Sequence, residues 1–112
     1  MARFITSGLI QELLPVFDSF DLALDHGMDG EKERGVLLIR SQFEDVARKR
    51  GLERIRVEAG EAFNPERHES IGEVNSGHAA GTIAEIVQQG YMFRGRVLRP
   101  ARVRLSKGRN DN

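Results

Sequence analysis

Apolar residues in the first half of the chain recur every three or four positions, and in the second half they alternate. From Phe4 to Met28, Ile10, Leu13, Phe17, Phe20 and Leu24 mark one stripe of a helix, with Leu9, Val16 and Ala23 in a second row beside it. Asp18, Asp21 and Asp25 fall on the opposite, solvated face. Pro15 lies inside the pattern, but the period keeps phase across it, so the helix is expected to continue through a kink. His26-Gly27-Met28-Asp29-Gly30 reads as a turn. A second helix is expected from Glu31 to Arg50, with Val36, Ile39, Phe43 and Val46 as its seam and Leu37, Leu38 and Ala47 widening it. Arg40/Glu44, Glu44/Arg48 and Asp45/Lys49 are spaced to pair along its outer face. Gly35 weakens its first turn. Arg48-Lys49-Arg50 suits the negative helix end, and Gly51 suits a left-handed cap, with Leu52 packing back on the last turn.

Beyond Gly51 the period becomes two. Arg54–Glu58 reads as a strand with Ile55 and Val57 inward. Phe63-Asn64-Pro65-Glu66-Arg67-His68 reads as a short helical turn capped by Asn64, with Pro65 at its first position. Ser70–Val74 is a further strand, followed by a flexible SGHAAG loop. From Gly81 to Lys107, three β-prone runs are divided by Gly90, Gly95 and Pro100. In the last run Ala101, Val103 and Leu105 share one face while Arg102 and Arg104 point the other way. RNDN closes the sequence as a polar tail. The predicted class is α+β, with a helical hairpin over residues 1–51 and a small β domain over residues 52–112. A single hairpin cannot cover two stripes this broad. Two hairpins joined as a four-helix bundle would, in a homodimer whose interface is Ile10, Leu13, Phe17, Phe20, Leu24, Val36, Ile39, Phe43 and Val46. The alternative is a hairpin folded onto its own sheet.

Composition narrows the chemistry. The net charge is zero, but from Gly90 to Arg109 there are Arg94, Arg96, Arg99, Arg102, Arg104, Lys107 and Arg109 with no Asp or Glu. A sheet with a cationic outer face and an acidic partner is expected. Nucleic acid is an unfavoured partner, because only Tyr91 and Phe93 are available to stack bases and the whole chain lacks a basic excess. The chain has no cysteine, which removes disulfides, thiol nucleophiles and Cys-based metal sites. His26, His68 and His78 share no ligand spacing, and no Ser or second acid builds a catalytic set around His68. Walker and GxGxxG patterns are missing. No metal, cofactor or enzymatic activity is expected. With no apolar run long enough for a bilayer and no secretory pattern at the start, a cytoplasmic protein is expected.

Four segments resemble the C-terminal portion of the GrpE family, the nucleotide exchange factors of DnaK-class chaperones. ELLPVFDSFDLAL at Glu12–Leu24 is similar to the family's ELLPVxDxxxRAL. Gly51 follows a basic helix end as the family's glycine does, FNPERHESI at Phe63–Ile71 is similar to FDPxxHEA, and GTIAEIVQQGYMFRGRVLRPARV at Gly81–Val103 is similar to the family's most recognisable signature. Leu22, Asn64 and Ser70 depart from the usual arginine, aspartate and alanine. The family commonly carries an acidic tail and a long paired helix ahead of the bundle, so the resemblance implies a short form or a fragment.

What the resemblance implies is a homodimer that grips the nucleotide-binding domain of a DnaK-class chaperone and opens its cleft so that ADP leaves. Arg96 matches the family's chaperone-contacting arginine after the turn glycine, and Leu105 a contacting apolar position. Arg3 matches a basic contact on the helix leading into the bundle, while Arg94, Arg99 and Arg102 extend the same cationic strands. Arg96 is otherwise a solvated strand arginine. Gly51 is either a hinge between the helical and β parts or only a helix cap. A nucleic-acid-binding sheet and a purely structural dimerisation module are the alternative readings.

Overall fold

A computed structural model of the chain describes residues 7–109. Its elements are α1 (Ser7–Asp25), α2 (Gly30–Lys49), β1 (Leu52–Arg54), β2 (His68–Val74), β3 (Ile83–Gln88), β4 (Tyr91–Phe93), β5 (Arg96–Arg99) and β6 (Ala101–Ser106). The fold is α+β: two helices, then an all-β region of two small sheets. The described residues fall into two compact units that divide between Glu53 and Arg54.

In the helical unit, α1 continues through Pro15, as the unbroken period requires. It ends at Asp25, where the expected turn begins, and His26 and Gly27 close it by donating to the Leu22 and Leu24 carbonyls. Asp29 caps α2, its Oδ1 accepting from the Lys32 N–H at 3.1 Å. Glu31 and Glu33 in the first turn and Arg48 and Lys49 in the last suit the helix dipole. Gly51 follows at φ 104°, a left-handed backbone that favours glycine.

Between the helices Ile10, Leu14, Phe17 and Ala47 are buried, and the Phe20 and Phe43 rings lie 6.0 Å apart. Leu14 was not in the expected stripe. It stands four residues after Ile10 and three before Phe17, so it shares their inward face. Arg40 is a correction. Expected outside, it is buried, and its Nε donates to Asp21 Oδ1 at 2.8 Å and its Nη1 to Glu44 Oε2 at 3.3 Å. Its guanidinium also lies 5.1 Å over the Phe17 ring. Arg40 follows Val36 by four positions and precedes Ala47 by seven, which places it on the inner face. Asp21, expected to be solvated, therefore faces α2 and supplies the countercharge a buried cation needs.

The β unit differs from one continuous sheet. One sheet has the order β2-β6-β3 and the other β1-β4-β5. β6 is central in the first, parallel to β2 (His68 opposite Ala101) and antiparallel to β3 (Ile86 opposite Val103). Of the strand expected over residues 54–58 only Arg54 lies in a ladder, as the last residue of β1. Past Arg54 the chain leaves the ladder after the buried Ile55 donates its N–H to the Gly90 carbonyl at 2.9 Å. Ile83, Ala101 and Val103 form the core, with Val57, Phe63, Ile86 and Leu105 packed against it, so the expected alternation in β6 holds. Gly90 is needed here for space: a Cβ would stand 2.3 Å from the Ala101 nitrogen.

β2 begins at His68, two residues before the expected start, because the turn ahead of it closes tightly. Asn64 Oδ1 accepts from the Glu66 N–H, and its carbonyl accepts from the Arg67 and His68 N–H groups. The SGHAAG loop, expected to be flexible, is tied to β6. Buried Ser106 donates to the His78 carbonyl at 2.9 Å, so its single hydroxyl proton is used and Ser76 must donate across the 2.5 Å contact between the two hydroxyls.

Candidate functional site

The arginines of the C-terminal strands carry one charge type but occupy different environments. β4 and β5 are joined by the two-residue turn Arg94-Gly95, with φ 51° and 84°. Positive φ at both positions is the hairpin geometry whose twist matches the strands. Arg94 adopts it despite its Cβ, and its guanidinium lies 4.9 Å over the Phe93 ring. The turn sets Arg96 opposite Phe93 as the first residue of β5. Arg96 is exposed, and its side chain has no hydrogen bond or ion pair among the described residues.

Three of the other strand arginines are engaged within the fold. Arg99 donates through Nε and Nη2 to the Gln89 carbonyl at 3.0 and 2.7 Å and lies 5.5 Å over the Tyr91 ring. Arg102 pairs with Glu69 of β2 at 3.2 Å, and Arg104 with Glu85 of β3 at 2.8 Å. The continuous cationic face expected from the local sequence is therefore corrected: neighbouring strands bring carboxylates onto it. Leu105 is half-buried against the β core. Arg3 lies outside the described residues.

On the helical unit, a groove of about 310 Å³ is lined by Leu9, Ile10, Leu13, Val16, Phe17, Phe43, Val46, Ala47 and Arg50. The nine expected interface residues divide. Ile10 and Phe17 are buried in the hairpin itself, Leu13, Phe20, Leu24 and Val36 are half-buried, and Ile39, Phe43 and Val46 are exposed, Val46 by 60%. Leu9 and Val16, read as the second row on α1, are exposed beside them. Among the described residues, no group of three or more His, Asp and Glu is placed to hold a metal ion, and no helix is long and apolar enough to cross a membrane.

The GrpE family model matches residues 1–107. The chain belongs to the GrpE family. It is 38% identical over 108 residues to Protein GrpE of a Nitratiruptor species, an alignment covering 88% of this chain and 60% of that protein. Protein GrpE of Thermotoga maritima is 40% identical over 100 residues, covering 88% of this chain and 57% of the relative. For Protein GrpE of Natronomonas pharaonis the figures are 36% over 103 residues, 92% and 48%. The chain thus spans about half to three fifths of these relatives. The GrpE-like segments named from the sequence fall on α1, on the turn leading into β2, and on β3 to β6, so Arg96 stands at the hairpin tip within the longest of them.

Proposed function

We propose that this chain is a non-enzymatic nucleotide exchange factor that binds the nucleotide-binding domain of a DnaK-class chaperone and promotes ADP release. Membership of the GrpE family supports this reading, and the observation that carries it is Arg96 at the β4–β5 tip, exposed and unengaged among the described residues. A guanidinium with no internal partner is free to donate to a carboxylate or carbonyl on another protein. The factor acts by linkage: it binds the open state of the cleft better than the closed, nucleotide-filled state, and that difference weakens ADP binding by the same factor.

Arg96 is the first contact, with Leu105 and Arg3 as further contacts. Arg94, Arg99 and Arg102 flank it, but each already has a partner in the fold. A second copy covers the apolar groove of the hairpin and completes a four-helix bundle, so the acting species is a homodimer working in the cytoplasm. Gly51 sets the angle at which each β domain leaves the bundle. The test is release of fluorescent ADP from a DnaK-class chaperone with and without this chain. Acceleration that saturates with added chain supports the reading, and an unchanged rate overturns it.

A further inference from the structure

We propose that His68 is a proton-operated latch on the Asn64–Arg67 turn: a proton taken up at Nδ1 removes the acceptor of the Asn64 N–H and loosens the turn, which then keeps to the start of β2 through the Asn64 carbonyl alone. The inference is independent of the exchange-factor reading. Its basis is one hydrogen bond, from the Asn64 N–H to His68 Nδ1 at 2.9 Å. An imidazole nitrogen that accepts carries no hydrogen, so the ring is neutral with its proton on Nε2. A proton at Nδ1 would set two donors against each other at that separation with no acceptor between them. Either the ring or the turn must then move.

The surroundings hold the ring in place and leave the turn as the movable part. His68 is only 5% exposed, packs 5.9 Å from the Phe63 ring and opens β2 opposite Ala101 of β6. The turn is exposed at Pro65, Glu66 and Arg67, and it borders an open hollow of about 650 Å³ also lined by Arg56, Glu61 and Phe63. Outward movement therefore has room.

The charged groups around the ring act in opposite directions. Burial disfavours the imidazolium most strongly, Glu61 on the preceding loop favours it, and Arg67 on the turn disfavours it, leaving the His68 pKa below the ordinary 6.5. Arg56 lines the same hollow as a further cation. From β6 the facing residue is apolar Ala101, and the next, Arg102, is occupied by Glu69.

The test is an NMR pH titration of the full chain, reading the ring nitrogens and the exchange of backbone amides. His68 is expected as the Nε2–H form at neutral pH with a midpoint below 6.5. The Asn64 amide is expected to shift with that same midpoint. Corrected for the intrinsic pH dependence of exchange, it should exchange roughly tenfold faster below it, as loss of one hydrogen bond implies. Amides of β6 such as Val103 should stay protected. A His68→Asn variant, whose Oδ1 accepts without titrating, should keep the Asn64 amide protected in acid; if it fails to fold, the parent titration alone decides. An Nδ1–H tautomer, an Asn64 amide indifferent to the titration, or simultaneous loosening of β6 would each overturn the latch.

Discussion

Arg96 and Arg102 carry the same charge with different freedom. Arg96 is exposed and its side chain has no hydrogen bond or ion pair to lose among the described residues, so Arg96→Ala is expected to melt like the parent. A charge-assisted hydrogen bond across an interface is worth about 1.5–3 kcal/mol. Stimulated ADP release at subsaturating concentration should therefore fall by roughly an order of magnitude or more. Arg102→Ala removes a half-exposed pair with Glu69, worth about 0.2–1 kcal/mol to the fold, and should slow release less. Stopped-flow nucleotide release with parallel melting curves separates the two effects. If both variants match the parent, the strand face is not the binding surface. His68 gives a pH dependence of the opposite sign to an ion-paired histidine. Its folded pKa lies below its unfolded value of 6.5, so the unfolded state takes up the proton first. Its contribution is complete above 6.5 and is lost as pH falls through that value toward the folded pKa. Denaturant titrations of the parent and His68→Asn should diverge in that window, the parent losing more stability. The resemblance made the place of Arg96 legible. The engagement of Arg102 and Arg104 was not legible, because Glu69 and Glu85 reach them from distant strands.

At the scale of elements, both helices follow from periodicity and punctuation, as do the three β-prone runs after Gly81, which the structure divides into the four strands β3 to β6. A broad apolar stripe, however, does not say which of its edges turns inward. Leu14 and Arg40 were missed for that reason: the inner edge of α1 lies one position round from the expected centre, and on α2 it carries a cation that Asp21 and Glu44 neutralise. The strand over residues 54–58 failed for another reason. Alternation marks which residues are buried but not whether a neighbouring strand is present to pair, and beyond Arg54 the chain turns away after one bond to Gly90. That glycine admits a direct test. Gly90→Ala sets a methyl against the Ala101 backbone, and backbone cannot rotate aside as a side chain can. A loss of about 1–3 kcal/mol or more is expected from overpacking, read as a lower denaturation midpoint with unchanged slope. A variant as stable as the parent would show that the two segments separate at little cost.

For the whole molecule, the groove beside Phe43 and Val46 is the feature that asks for a second chain. Val46→Asp places a charge at an exposed position of the groove and leaves the buried Ile10, Leu14 and Phe17 unsubstituted. The variant is expected to sediment as a monomer at concentrations where the parent has twice the monomer mass, and to retain folded hairpins. A parent that is monomeric throughout would remove the bundle from the proposal. Circular dichroism should agree, with the parent's helical transition rising with concentration. The division into two sheets and the parallel pairing of β2 with β6 were beyond sequence reasoning. Both depend on contacts between segments far apart in the chain, whereas turn residues and periodicity report only local structure.

The central place of β6 also determines when this architecture can form during synthesis. β2 and β3 do not pair with each other; each pairs with β6, which follows both along the chain. The nascent β unit must wait with the apolar faces of Ile83 and Ile86 uncovered until Ala101–Ser106 has left the ribosome, and closure then spans distances that slow folding. A ribosome-stalled chain ending before Ala101 should be cut readily by protease in its β segments while α1 and α2 can already associate.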